Sequence, residues 1–229
     1  MNKALKITLE VALLAICAFI AYAIVQSIME PVNFNKQTEA RKAVAVQRLK
    51  DIRTLEVAYK GVTGHYTADL DSLILFYNSG KMDITMQVGS NDDSLAVVNT
   101  EKLKKQNRKI TPQEMYERYL KGENLVFSIK NSSPVKDTLF KHRADFVIDS
   151  ILYIPFSGKQ IVETDAIIKT VSGVEVPLFE AKMPYRALLK GLDNQLRINL
   201  DADCRASNRY EGLQVGSITA PNNNAGNWE

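Results

Sequence analysis

The chain has 229 residues, 45% hydrophobic and 24% charged, a balance that excludes disordered, fibrous and low-complexity classes. Its net charge of +3 is too small to argue for nucleic acid. No basic run alternates with stacking aromatics as a single-strand groove requires, so no nucleic-acid partner is expected.

The first element is Ile7 to Met29, ITLEVALLAICAFIAYAIVQSIM, the one apolar run of membrane length. As a helix it covers roughly 34 Å at ~1.5 Å per residue, enough for a hydrocarbon layer of about 30 Å. No charge occurs from Val11 to Val25, while Glu10 at one edge and Gln26 with Ser27 at the other reach the interfaces. A core helix of a soluble protein would also give such a run. So would a cleaved signal peptide, with Lys3 and Lys6 as its basic end and Ala21-Tyr22-Ala23 as the cleavage site. The apolar run continues past that site through Ile24, Val25, Ile28 and Met29, which favours an uncleaved anchor with the lipid bilayer as its first partner.

Basic residues flank both ends of the span, so charge alone does not set its orientation. A short lysine-bearing N-terminus usually stays in the cytoplasm, and long domains translocate largely regardless of charge. The expected arrangement is a cytoplasmic tail over 1–6, an inner-membrane span over 7–29, a stalk helix over 30–62 and a globular domain over 63–229 in the periplasm. Cys17 lies in the span and Cys204 in the exported part, so no bridge between them is expected.

Pro31 lacks an N–H and disfavours helix in the residue before it, which predicts a break near Met29 and Glu30. Helix resumes with Asn35 as N-cap, and apolar residues recur at Ala45, Leu49, Ile52, Leu55 and Tyr59 along Lys36 to Lys60. Arg41, Lys42, Arg48, Lys50, Arg53 and Lys60 fill much of the remaining surface, giving a basic rod with one apolar stripe. The stripe packs on the protein's own sheet or, over Lys36 to Leu49, on copies of the chain or another subunit. Ala45, Leu49 and Ile52 are therefore candidate interaction residues, with Glu10.

Gly61 ends the stalk, and Gly64 allows a tight turn. Thr67 or Asp69 caps a short helix over Asp69 to Tyr77 that Gly80 closes, with Tyr66 placed to plug the corner between the two helices. The run RLKDIRTLEVAYKGVTGHYTADLDSLI, Arg48 to Ile74, resembles the end of the long helix and the following turn in type II secretion pseudopilins and related type IV pilin-like proteins. Tyr59-Lys60 and Gly64-His65-Tyr66-Thr67 carry the match, and Ile7-Thr8-Leu9-Glu10-Val11 echoes the pilin opening one residue short. Lys6 stands where pilin precursors carry the processing glycine. The resemblance spans about a third of the chain. It implies a pilin-like architecture, in which a membrane helix and stalk carry a domain rich in antiparallel strands.

Beyond Gly80, Met82 to Val88 alternates as a strand, and Gly89 to Arg108 is polar and predicts a loop. Thr111 caps a helix starting at Pro112 and ending at Gly122. Leu125 to Ile129 and Phe146 to Phe156 are apolar and rich in strand formers, although Asp145 to Ser150 also fits a helix. Gln160 to Lys182 predicts a hairpin turning at Ser172-Gly173. A short helix follows over Tyr185 to Leu192, then an alternating strand over Leu196 to Leu200. The polar tail APNNNAGNWE belongs on the surface, with Trp228 tucked into a groove or a partner.

No catalytic constellation stands out, and the expectation is a protein that is not an enzyme and carries no cofactor or metal. His65 and His142 are far apart, and Ser217 lacks the spacing of a nucleophile elbow and a nearby base. Asp201, Asp203 and Glu211 supply oxygens of the kind calcium takes, and pseudopilins do use a C-terminal calcium loop, but without the order of an EF-hand they predict a solvated acidic loop. The α+β class and single span point to a pilin-like assembly subunit of an envelope complex, meeting other subunits or copies of itself. The alternative is a tethered periplasmic domain that grips a secretion, outer-membrane-biogenesis or peptidoglycan-associated partner.

Overall fold

A computed structural model describes the backbone of residues 3–229 and the side chains from Glu10 onward. Met1 and Asn2 of the expected tail, and the side chains of Ile7, Thr8 and Leu9, lie outside the described residues. In chain order the helices are α1 (Lys3–Thr63), α2 (Leu70–Ser79), α3 (Ser94–Gln106), α4 (Pro112–Leu120), α5 (Val135–Thr138), α6 (Tyr185–Leu188) and α7 (Asn194–Ala206). The strands are β1 (Lys81–Val88), β2 (Phe127–Pro134), β3 (Glu163–Val171), β4 (Val174–Pro184) and β5 (Gly212–Gly216). The class is α+β, with a long apolar N-terminal helix and two small antiparallel sheets.

Helix α1 runs unbroken through Pro31, so the break expected near Met29 is not there, nor is a new start at Asn35 or a stop at Gly61. Proline removes one i to i−4 hydrogen bond and crowds the carbonyl four residues back, a cost of about 3 kcal/mol. A long helix absorbs that local loss because the turns on either side are already nucleated. The helix ends at Gly64, whose φ of +85° suits glycine and whose N–H reaches the Lys60 carbonyl at 2.8 Å. Every residue from 10 to 33 is exposed, which sets aside a buried core helix. Among the described residues, α1 is one helix long and apolar enough to cross a membrane.

The chain divides into two compact units. The first takes α1 up to Thr54, Tyr66–Leu70 and Asp149–Glu229, and holds the sheet β3-β4-β5. Its hairpin turns at Ser172 and Gly173, with φ of 52° and 84°, because a two-residue turn that follows the twist of the strands needs positive φ at both places. Ala45, Leu49 and Ile52 are completely buried here, as are Ile151, Met183, Leu188 and Val215. Tyr66 lies against Phe179, ring centroids 4.9 Å apart, and its hydroxyl accepts from Asn224 Nδ2 at 2.8 Å. It seals β4 and the tail. Leu196 to Leu200, expected as a strand, belongs to α7, whose Asp193 cap accepts from the Leu196 N–H at 2.7 Å.

The second unit takes Leu55–His65 and Asp71–Ile148. Strands β1 and β2 pair antiparallel from Lys81 opposite Pro134 to Val88 opposite Phe127. Val88, Leu103, Met115, Leu125, Phe127 and Ile129 form its core. Helix α3 stands where a polar loop was expected, capped by Asp93, which accepts from the Leu95 and Ala96 N–H groups. Thr111 and Glu114 form a reciprocal capping box on α4, with Pro112 in the first turn as expected. Phe146 to Phe156 does not form a strand; it contains a 3-10 turn over Ile148–Leu152 and one bridge between Tyr153 and Ile161.

Candidate functional site

Three arginines of α1 expected on the solvent side bind backbone of their own unit. Arg41 donates to the Leu188 and Lys190 carbonyls at 3.1 and 2.8 Å, at the end of α6, and lies 4.9 Å above the Phe156 ring. Cations suit helix C-termini because the last carbonyls have no partner within the helix. Arg48 donates to the Tyr153 carbonyl at 2.5 Å, and Arg53 to the Asn224 carbonyl at 3.2 Å and Glu229 Oε1 at 2.7 Å. Burial lowers the Arg48 pKa, with Asp51 opposing the shift. These arginines clamp α1 to loops and tail, and the basic face is partly an internal fastening.

Next to that clamp a groove of about 370 Å³ opens between α1, α7 and the tail, lined by Glu39, Lys42, Tyr185, Cys204, Arg209 and Trp228 among others. The Lys42 ammonium sits 3.0 Å from Glu39 Oε1 and 5.3 Å from the Tyr185 ring centroid. Burial pushes the Tyr185 hydroxyl above its usual pKa, with Lys42 pulling the other way, so it stays neutral near pH 7. The Trp228 Nε1 is buried without a hydrogen-bond partner.

A second cleft of about 430 Å³ shares Arg209 and Tyr210 with the first and adds Arg197, Asp201 and Glu211. Asp201 is 6% exposed; its Oδ2 accepts from Arg197 Nη1 at 2.5 Å, while Oδ1 has no partner. Burial raises this carboxyl above its ordinary pKa, and Arg197 opposes the shift. The Tyr210 phenol is raised too, by burial first and then by Glu163, and remains a neutral donor and acceptor. Charged groups lie mostly in pairs here, as with Arg205 and Glu211 at 2.8 Å. The two clefts offer hydrogen bonds and ion pairs to a polar ligand.

No protein-family model, curated protein or solved structure matches this chain.

The residues singled out in the sequence fall in separate places. Glu10 is exposed on the apolar helix, and Trp228 lines the first groove. Ala45, Leu49 and Ile52 are 0% exposed, which removes them as contact points for a partner. Burial begins as early as Phe34, at 7%, and Thr38, at 3%, so Lys36 to Leu49 does not run free ahead of the folded part. The reason is geometric: the stripe at helical spacing is the face that α1 turns inward in its own unit. His65 lies 6.0 Å from the Tyr59 ring, and His142 lines neither cleft. The Ser217 hydroxyl bonds Thr219 Oγ1 at 2.8 Å. Asp203 is exposed on α7, while Asp201 and Glu211 share the second cleft with Glu211 paired to Arg205, and no group of three metal-ligating side chains converges among the described residues. Arg197 and Asp201 were missed as a pair, although their spacing of four is itself a helix signal.

Proposed function

We propose that the chain is a membrane-anchored, pilin-like assembly subunit of a bacterial envelope complex, with its N-terminus in the cytoplasm and its folded units in the periplasm. One observation carries this: the same unbroken helix is exposed over 10–33, with an uncharged apolar run from Val11 to Val25, and wholly buried at Ala45, Leu49 and Ile52. A detachable tether would not need to enter the core. A helix continuous from bilayer to core passes any force or displacement on the span into the folded unit, which suits a subunit that assembles through its membrane helices. The groove at Lys42 and Trp228 favours a second reading, an anchored domain that binds a polar partner.

Cys17 is exposed on the span while Cys204 is buried, so the natural sequence supplies a probe. Oxidation of native membranes should give a disulfide-linked species lost in Cys17→Ser, or in a cysteine scan across 13–20 if another face is used. Absence of crosslinks throughout that scan would leave only the tethered-domain reading. Protease added to spheroplasts should digest the folded units; their protection would overturn the orientation.

A further inference from the structure

Strand β3 is an outer strand of its sheet, because the order β3-β4-β5 gives it a ladder on one side only. Its backbone groups on the other side can be assigned. Ile168 lies opposite Pro177 of β4, and proline has no N–H to exchange, so this is a pair without ladder bonds and the Ile168 amide and carbonyl face outward. Ala166, two residues away, has its N–H taken by its own neighbour, Asp165 Oδ1, at 2.8 Å. Both observations put the even-numbered residues Thr164, Ala166, Ile168 and Thr170 at the open edge. Ile167 and Ile168 are 38% and 61% exposed there, on a strand that also carries Asp165 and Lys169.

We propose that a second copy of this chain adds to this edge as an antiparallel strand, with Ile167 opposite Ile167 of the second copy. That register joins the nine residues Glu163–Val171 to the same nine in reverse. It sets Ala166 opposite Ile168 and Thr164 opposite Thr170, so every outward-facing residue meets another. It also sets Asp165 of each copy opposite Lys169 of the other, two opposite-charge pairs related by a two-fold axis. A slip by one residue breaks the hydrogen-bond parity, and a slip by two loses the Asp165 pairs. In one copy alone the edge is held closed. Asp165 occupies the Ala166 N–H, and the Lys169 ammonium donates to the Thr219 carbonyl at 2.6 Å. Pairing hands the Ala166 N–H to a carbonyl of the second copy and frees the Asp165 carboxylate for Lys169, whose ammonium has donors for both partners. Charges on an edge strand ordinarily discourage pairing; here they discourage every register but one.

The test uses the full chain in detergent with Cys17→Ser, so that crosslinks through the span do not count. Ile167→Cys should form a disulfide dimer on mild oxidation, since like residues at the two-fold approach closely in a pair without ladder bonds, while Ile168→Cys should not. Asp165→Lys added to Ile167→Cys should lower the dimer yield about ten-fold, and Lys169→Asp added to both should restore it. Trp228 fluorescence checks that each variant is folded. Equal crosslinking at 167 and 168, no crosslink at 167, or no rescue by the double reversal would overturn the proposal. None of these outcomes bears on crosslinks through Cys17.

Discussion

Asp201 is a buried acid with one oxygen on Arg197 and one without a partner, an arrangement that costs more when the group is charged. Burial outweighs the attraction of Arg197, so the folded state holds the Asp201 proton more tightly than the unfolded chain does. Below the unfolded carboxylate pKa, about 3.9, both states are protonated and the group is neutral in the balance. Between the unfolded and the raised folded pKa the native state binds more protons, so stability falls as pH rises through that window. Asp201→Asn keeps the shape and an acceptor for Arg197 while removing the titration. Urea unfolding followed by Trp228 fluorescence should therefore show the Asn variant gaining on the parent as pH rises from about 4 to about 7. A parent that gains on the variant would mean that the Arg197 pair outweighs burial.

At the scale of elements, Gly89 shows how a strand is ended. It follows β1 with φ of +75°, and a Cβ there would lie 2.3 Å from the Leu125 carbonyl oxygen, a backbone atom two residues ahead of β2. Gly89→Ala should cost more than about 2 kcal/mol, from left-handed strain and the clash together, read as a lower unfolding midpoint by circular dichroism. A neutral result would mean that the loop relaxes freely. Elements marked by local chemistry were legible in the sequence: Thr111-Pro112-Gln113-Glu114 opened a helix, and Ser172-Gly173 turned a hairpin. Helix α3 was not, because its buried positions are Ala96, Thr100 and Leu103, two of them small or polar, so the helical period carries almost no hydrophobic signal. Helix α7 was misread for a related reason. Leu196, Ile198 and Leu200 alternate like a strand, while the residues it buries are Asp201 and Cys204. The site suffered the same loss, since Asp201 and Arg197 become a pair only once the segment is helical. The stripe of α1 was legible as a period, but what it packs against depends on distant parts of the chain, which no local pattern encodes.

For the whole molecule, the decisive property is that α1 places an apolar surface outside the fold. Val11, Leu14, Phe19, Ile20 and Ile24 are each more than half exposed, far more contiguous apolar surface than a soluble monomer carries without an environment to cover it. A bilayer would supply that cover, since the helical backbone needs no water when its hydrogen bonds close within the segment. Leu14→Arg with Phe19→Arg would put two charges near the middle of the run, each costing about 3 kcal/mol on the insertion scale. The double variant should move from the membrane pellet to the supernatant on carbonate extraction or fail to insert, while the unsubstituted chain stays in the pellet. Both substitutions lie well before Phe34, where burial begins, so the surroundings of Trp228 and its emission should not change. If the double variant stayed in the pellet, the helix would be held there by something other than hydrocarbon, and the span would have to be sought in its contacts with protein.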